Sequence, residues 1–299
     1  MNEDAWTNVA ETFRPDIETM SKISVSEINS LSRCLKKHDY GYRQGLMSKD
    51  PPTYLSKGTY YHELWAAFLR SVAAGSEFNV DVASRVILKN RNPDRPPVQE
   101  PDRLQVNALF KKMIKDLDMS NLDVLAVEQE FYVNIGWWEP VNAPEVERRV
   151  LLHGIFDAVV QDRETGDIWV AEHKSAGRRW DEGRFMFDIQ AKLYLAAWEA
   201  LTDSPPIGIL WNFMYPKATE QRQQFIDPVE SKLLVEEVQR VINLRATGLV
   251  VRQPVFGCRD CWFKDLCYAE LSGQGGEYLR ESEYVIDTDK VARFADLED

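Results

Sequence analysis

The sequence contains few cysteines and histidines, and it contains no apolar run long enough to cross a membrane. Only 4 of its 299 residues are cysteine, and only 4 are histidine. No apolar stretch approaches the roughly 20 residues that a membrane-spanning helix needs. The first residues, Met1-Asn2-Glu3-Asp4, lack the basic start and the apolar core of a secretion signal. We therefore expect a soluble, cytoplasmic protein without a membrane partner.

Internal repeats and a motif for ATP hydrolysis are also lacking. Without a Gly-x-x-x-x-Gly-Lys-Ser/Thr phosphate loop, the chain does not encode an ATP-driven motor. The net charge of −12 argues against general electrostatic capture of nucleic acid. Residues 31–49 nevertheless form a basic patch, which is either a binding surface or an ordinary solvated face. The basic side chains of this patch are those of Arg33, Lys36, Lys37, Arg43 and Lys49.

The pattern of apolar residues and turns predicts an α/β fold. Ser24 and Glu27 form a capping box ahead of a helix that ends near Lys37. Further helices are expected at 58–74, 103–117, 183–201 and 228–246, with a proline-rich loop at 90–102. Strands are expected at 124–135, 150–161, 168–172 and 207–215. The first three strands would form an antiparallel meander, so we expect a mixed sheet flanked by helices.

Two acidic residues flank the turn at residues 162–167. Asp157 precedes this turn and Glu172 follows it, so strand pairing across the turn would bring both carboxylates to the same end of the hairpin. Two convergent carboxylates are typical ligands of Mg²⁺ or Mn²⁺. The backbone carbonyl of His173 is a further candidate metal ligand. Strand alternation places Lys174 on the face of Glu172, with the His173 side chain opposite.

This arrangement suits the hydrolysis of a phosphodiester. A divalent ion lowers the pKa of a bound water, while Lys174 orients the water or stabilises an oxyanion. A salt-bridged surface hairpin is the alternative interpretation. Gln190 and Tyr194, at positions i and i+4 of the next helix, present an amide and a phenol suited to a phosphate or a base. His62 is a further candidate metal ligand. The other histidine side chains, those of His38, His153 and His173, are expected to be structural or to lie at the surface.

Taken in order, these residues resemble the motifs of the PD-(D/E)XK nuclease superfamily, in particular its RecB-like and Cas4-like branch. The resemblance rests on His62, Asp157, Glu172-x-Lys174 and Gln190-x-x-x-Tyr194, and it spans residues 24–268. It implies a restriction-endonuclease-like core in which His62, Asp157 and Glu172 bind the metal and Lys174 is catalytic. It also implies that Gln190 and Tyr194 help to place the substrate.

The sequence departs from the family pattern at two positions. Phe156 replaces the proline of the motif, and Glu172-His-Lys174 replaces the commoner Asp-Tyr-Lys. Because glutamate keeps the carboxylate, we expect activity to survive. The branch often has a glutamate in the preceding strand, and either Glu128 or Glu130 fits that place.

The four cysteines form a second signature. Cys258, Cys261 and Cys267 lie close together in the sequence, while Cys34 is far from them. Disulfides are not expected in a reducing compartment, and a zinc site more often uses two close pairs of ligands. A lone N-terminal cysteine with a C-terminal trio resembles the [4Fe-4S] arrangement of the same nuclease branch, with Zn²⁺ as the alternative. The resemblance therefore implies a cluster that ties the first helix to the C-terminal segment.

These patterns divide the chain into five predicted segments. The nuclease core would occupy residues 121–250, preceded by a helical part with the first cluster cysteine, and followed by a cysteine-rich segment and an acidic tail. Nine acidic against three basic residues in 270–299 give this last region half of the net charge. The predicted boundaries are 1–23, 24–120, 121–250, 251–270 and 271–299.

The leading functional hypothesis is a metal-dependent DNA exonuclease that acts on DNA ends and prefers single strands, in recombination, repair or phage-type DNA processing. Arg33, Lys36 and Lys37 would guide the DNA backbone to the metal. An annealing protein or a helicase would deliver the substrate, because the chain has no motor of its own. One alternative is a Cas4-type nuclease of CRISPR adaptation with a Cas1-like integrase as partner. Another is a non-catalytic iron–sulfur DNA-binding module.

Overall fold

The computed structural model of the protein describes most of the chain. The described residues are 7–8, 21–91, 96–117, 119–138, 148–186, 188–202, 204–226, 236–238, 240–244, 248–253 and 256–295. Most of the predicted N-terminal extension 1–23, part of the loop 90–102 and part of the helix 228–246 lie outside these residues. Within the last of these, residues 236–238 and 240–244 are helical.

Strands and helices alternate along the described chain, as expected for an α/β fold. The strands are β1 (Thr7–Asn8), β2 (Ser21–Ser24), β3 (Leu46–Ser48), β4 (Leu122–Trp138), β5 (Arg148–Asp162), β6 (Ile168–Ser175), β7 (Gly208–Met214), β8 (Thr219–Phe225) and β9 (Tyr284–Ile286). The α-helices are α1 (Val25–Arg33), α2 (Leu35–His38), α3 (Thr53–Ala73), α4 (Val80–Asn90), α5 (Glu100–Asp116), α6 (Glu182–Met186), α7 (Ile189–Thr202), α8 (Lys264–Ser272), α9 (Gly276–Glu283) and α10 (Thr288–Ala295). A π-helical turn at Asp39–Arg43 and a 3₁₀ turn at Phe256–Asp260 complete the described elements.

The chain forms two compact units. The first unit comprises Met1–Pro51, Tyr132–Gly154 and Lys232–Asp299, and the second comprises Pro52–Phe131 and Ile155–Ser231. The strands β4 and β5 therefore contribute residues to both. Among the described helices, none is long and apolar enough to cross a bilayer.

A mixed sheet forms the centre of the second unit. Its strand order is β4-β5-β6-β7-β8. β5 and β6 are antiparallel across the predicted turn, with Ala158 opposite Ala171, whereas β6 and β7 are parallel. Parallel pairing requires a long crossover, which α7 supplies. β7 is buried along its whole length, and Gly208 is required there because a Cβ would lie 2.1 Å from the Gln224 carbonyl oxygen of the edge strand β8.

Helices cover the sheet of the second unit and bury its apolar side chains. α3 contributes Tyr60, Tyr61, Leu64, Trp65 and Phe68 to one core, and this core also contains Val106 and Phe110 of α5 and Ala158, Ala171 and Leu210 of the strands. The hydrophobic burial of these side chains holds α3 against β6. The fold is thus an α/β fold with a mixed sheet flanked by helices, which is compatible with a restriction-endonuclease-like core.

The first unit contains the predicted serine cap, which is one half of a capping box. Ser24 accepts a hydrogen bond from the Glu27 amide at 3.1 Å, and the Glu27 carboxylate lies 3.0 Å from Nε2 of His38. β2 pairs in parallel with β5, and β3 pairs with β9. The described part of the acidic segment 271–299 is folded, since it contains α9, β9 and α10. The five-segment division of the chain stays a prediction.

The predicted helix 183–201 is two helices in the structure. α6 ends at Met186, and α7 begins at Ile189. The cause is Asp188, whose carboxylate accepts a hydrogen bond from the Ala191 amide at 3.0 Å, as a residue that caps a new helix does. The sequence interpretation also missed α4 and β8.

Candidate active site

Asp157 lies at the point where the pairing of β5 with β6 ends. The paired residues reach Ala158 and Ala171, so Asp157 and Glu172 are the next residues on their strands. Asp157 Oδ2 accepts a hydrogen bond from the His173 amide at 2.8 Å, and Oδ1 lies 3.2 Å from Nδ1 of His62 on α3. Asp157 as a whole is 8% exposed. The Asp157 side chain therefore links β6 to α3.

Glu172 and Lys174 form a second group of contacts on the opposite side of β6 from His173. Lys174 donates a hydrogen bond to Oε1 of Glu172, and it also donates to Oε1 of Gln190 at 3.0 Å. Gln190 Nε2 lies 3.0 Å from Oε1 of Glu172 and 3.2 Å from the Tyr194 hydroxyl. The i, i+4 spacing on α7 thus brings the amide and the phenol together, as predicted.

A third acidic residue, Glu128, joins Asp157 and His62. One potential ligand atom from each of the three residues lies within 4.8 Å of the other two. Glu128 has φ of 47°, and it is the one non-glycine residue with a positive φ in the described chain. A left-handed residue within a strand changes the direction of the side chain and carries strain, which is common at functional sites. Between the two glutamates left open by the sequence, the structure places Glu128 in this group.

The charges of the site shift several pKa values. Burial, followed by the nearby Asp157 carboxylate, raises the pKa of Glu172 to about 7. Burial alone would lower the pKa of His62, but Asp157 outweighs this effect and the pKa rises to about 9. The same ion pair outweighs the burial of Asp157 and holds its pKa below its usual range. Burial opposes the charge on Lys174, yet the Glu172 carboxylate raises the Lys174 pKa, so this amine is protonated at neutral pH.

The side chains fit a divalent cation. Oε2 of Glu172, a residue that is 1% exposed, has no hydrogen-bond partner within the described residues. A buried carboxylate oxygen without a donor is costly unless a cation or a water completes it. His62, Glu128 and Asp157 offer a nitrogen and hard oxygens that converge, and Glu172 lies outside this group. Such a donor set suits Mg²⁺ or Mn²⁺.

The cysteines all belong to the first unit. The four thiols, those of Cys34, Cys258, Cys261 and Cys267, are free and half-buried. Burial raises the pKa of the Cys261 thiol, and Cys34 and Cys258 lie near enough to raise it further. In the part of the chain that the structure describes, no three sulfurs lie within 4.8 Å of one another. The thiols are therefore not gathered as tightly as the ligands of a single zinc ion would be.

The basic residues that are predicted to bind DNA also lie in the first unit. Lys36 contacts Asp39 at 3.1 Å and Glu270 at 3.5 Å, so its charge is largely compensated. Burial, followed by the charge of Arg33, lowers the pKa of Lys37. Arg33 is exposed. The basic patch is thus only partly available as a positive surface.

Glu270 is the centre of a charged network in the first unit. Its carboxylate accepts hydrogen bonds from the Tyr40 hydroxyl at 2.6 Å, from Arg252 at 2.8 Å and from Arg280 at 2.7 Å. Burial opposes the charge of Glu270, but the Tyr40 hydroxyl, the Lys36 charge and Arg280 lower its pKa. The network joins α8 and α9 to the π-helical turn.

The second unit thus holds acidic, imidazole and ammonium groups in one place, as a metal-dependent hydrolase of phosphodiesters requires. Residues 22–268 match the sequence model of a family described as "PD-(D/E)XK nuclease superfamily". Because the match covers most of the chain, the protein belongs to the PD-(D/E)XK nuclease superfamily. Membership implies a metal-dependent nuclease that acts on DNA, and such nucleases typically use Mg²⁺ or Mn²⁺.

The solved structure titled "Crystal structure of SSO0001" aligns with 15% sequence identity over 83% of this chain and 86% of that chain, with a TM-score of 0.38. The comparison with curated proteins gave no match.

Proposed function

We propose that the protein is a metal-dependent DNA exonuclease of the RecB-like and Cas4-like type. It acts on DNA ends and prefers single strands, in recombination, repair or phage-type DNA processing. The observation that carries the proposal is the connected set of Glu172, Lys174 and Gln190 beside the convergent group of Asp157, Glu128 and His62. A salt-bridged surface hairpin would not bury Glu172 almost completely.

Asp157, Glu172, His62 and Glu128 would hold the divalent cation, with the His173 carbonyl as a backbone ligand. The cation would supply acidification of a coordinated water and compensation of charge on the phosphate. The raised pKa of Lys174 keeps this side chain protonated, so it donates to a developing oxyanion rather than accepting a proton. Gln190 orients Lys174 through the 3.0 Å hydrogen bond between them.

Substrate binding would begin at α7 of the second unit. Gln190 and Tyr194 lie beside the acidic groups, and an amide and a phenol suit a phosphate or a base. Because Tyr194 is 6% exposed, its hydroxyl would act by holding the Gln190 amide. Arg33 and Lys37 would contribute attraction for the DNA backbone, with Lys36 as a weaker contributor because of its ion pairs. An annealing protein or a helicase would deliver the DNA ends.

The four cysteines would bind a [4Fe-4S] cluster. The proposal rests on the spacing of the four cysteines in the sequence, since no three of the described sulfurs lie within 4.8 Å of one another. Replacement of Cys261 by Ala should remove the visible absorbance of the cluster and lower solubility. Stoichiometric zinc without iron in the purified protein would contradict this assignment.

The nuclease activity is tested with end-labelled single-stranded and double-stranded DNA in the presence of Mn²⁺. Wild-type protein should shorten single strands from an end, and Lys174→Ala should lower the rate at least 100-fold, which is typical of the loss of a group that stabilises the transition state. Lys57→Ala is the matched control, because the two lysine side chains are 19% and 20% exposed and both are ion-paired. Equal cleavage by wild type and Lys174→Ala would refute the proposal.

A further inference from the structure

We propose that the His173 ring is a positioning group for the acidic site, a role that rests on the proposed function. The ring is held between Trp65 and Asn212, and it thereby fixes the peptide whose N–H binds Asp157. His173 acts through Asp157 and does not need to touch the substrate. Its role as a side chain is separate from any contact that its backbone carbonyl makes.

The His173 ring is stacked face to face on the Trp65 indole. The two ring centroids are 4.3 Å apart and the planes differ by 1°. His173 is 1% exposed, and Trp65 of α3 is 2% exposed. Side chains in a close-packed core sit in rotamer minima, so the packing around both rings favours this orientation. The stack therefore fixes the orientation of the ring relative to α3.

Asn212 of β7 fixes the rotation of the ring within its plane. Its amide nitrogen lies 3.2 Å from Nδ1 of His173, and its amide oxygen accepts a hydrogen bond from Gln221 at 2.9 Å. Because the oxygen is used by Gln221, the nitrogen faces the ring and donates to Nδ1. The ring is thus held by α3 on its face and by β7 at its edge.

The same residue holds the acidic group through its backbone. The His173 amide donates to Oδ2 of Asp157 at 2.8 Å, while Oδ1 of Asp157 faces His62. A tilt of the His173 side chain would turn this peptide and shift the carboxylate. Groups that orient the direct ligands in this way commonly affect metal affinity by 10- to 100-fold, so we expect about a tenfold effect.

The test is the affinity for Mn²⁺ of the full-length protein and of Asn212→Ala, measured by electron paramagnetic resonance. Asn212→Ala removes the donor to the ring without changing any acidic residue. Mn²⁺ binding should weaken about tenfold, and the KM for Mn²⁺ in DNA cleavage should rise by the same factor, while kcat at saturating Mn²⁺ stays within about threefold. A purely structural role would lower thermal stability without moving the KM for Mn²⁺.

Asn107→Ala is the matched control. Asn107 is also a buried asparagine of the second unit, but its amide oxygen accepts a hydrogen bond from Tyr60. The Asn107→Ala protein should be less stable than the wild type and should keep the wild-type affinity for Mn²⁺. Trp65→Leu should weaken Mn²⁺ binding like Asn212→Ala, and Trp65→Phe, which keeps a ring for stacking, should restore most of it.

Three results would contradict this inference, and they are distinguishable. Wild-type affinity in Asn212→Ala would refute positioning by the ring while leaving the proposed nuclease function intact. Equal weakening by Asn107→Ala would show that general loosening of the core causes the loss. A wild-type protein that neither binds Mn²⁺ nor cleaves DNA would overturn the proposed function, and the positioning role with it.

Discussion

The affinity of the acidic site for Mn²⁺ should depend steeply on pH because of His62. Asp157 raises the pKa of this imidazole to about 9 in the metal-free protein. A metal ligand must be deprotonated, so the ion competes with the proton for the ring. With a pKa of about 9, this competition weakens binding by about 100-fold at pH 7 relative to strongly alkaline solution, and by about tenfold between pH 8 and pH 7. Mn²⁺ should therefore bind more tightly as the pH rises.

Isothermal titration calorimetry with Mn²⁺ measures both parts of this prediction. In buffers of different ionisation enthalpy at pH 7.5, the wild type should release about one proton from His62 for each ion that binds. His62→Ala should bind less tightly, and its affinity should change less between pH 8 and pH 7 than that of the wild type, because only the raised pKa of Glu172 then contributes to the pH dependence. His153→Ala, in the first unit, is the control. A wild-type affinity that changes less than twofold over this interval would refute the reasoning.

Two further predictions concern other acidic residues, Glu128 with Glu130 as its control, and Glu270. Glu128→Gln should weaken Mn²⁺ binding by about tenfold, whereas Glu130→Gln should not, because only Glu128 lies in the convergent group; equal titration curves for the two variants would contradict this. Glu270→Gln should lower the free energy of unfolding by about 2 kcal/mol, because it weakens hydrogen bonds to a charged acceptor from Tyr40 and the arginines. Since folding lowers the pKa of Glu270, the difference should be complete above its ordinary value of 4.5 and should shrink as the pH falls below that value. Denaturation by urea at pH 7 and at pH 3.5 measures the difference in the free energy of unfolding between wild type and Glu270→Gln. A difference that is larger at pH 3.5 than at pH 7 would contradict this prediction.

Features that depend on neighbouring residues could be predicted from the sequence. The Ser24 cap could be predicted because its hydrogen-bond partner, the Glu27 amide, lies three residues away in the sequence. The separation of Glu172 and Lys174 from the His173 ring followed from strand alternation, and the Gln190–Tyr194 contact followed from helical spacing. The Asn79 cap of α4 is a similar local signal, since its side chain accepts a hydrogen bond from the Asp81 amide at 2.9 Å. The sequence interpretation lacks this helix although the signal for its start is present.

Other features depend on contacts between distant residues, and the sequence does not contain a local signal for them. The positive φ of Glu128 is a property of strand geometry, and a glutamate gives no indication of it. β8 is a polar edge strand, so it lacks the apolar alternation by which a strand is normally recognised. The stack of His173 on Trp65 joins residues 108 positions apart in the chain, and only the packing of α3 on β6 brings them together.

A divalent cation bound by Asp157, Glu128 and His62, with Glu172 as a further ligand, would make this centre a nuclease site. The anomalous difference map of a crystal soaked in Mn²⁺ tests this most directly. A peak is expected within coordination distance of Asp157 and Glu172, and it should disappear in Asp157→Ala. A soaked crystal with manganese bound only elsewhere, or with none beside these carboxylates, would contradict it.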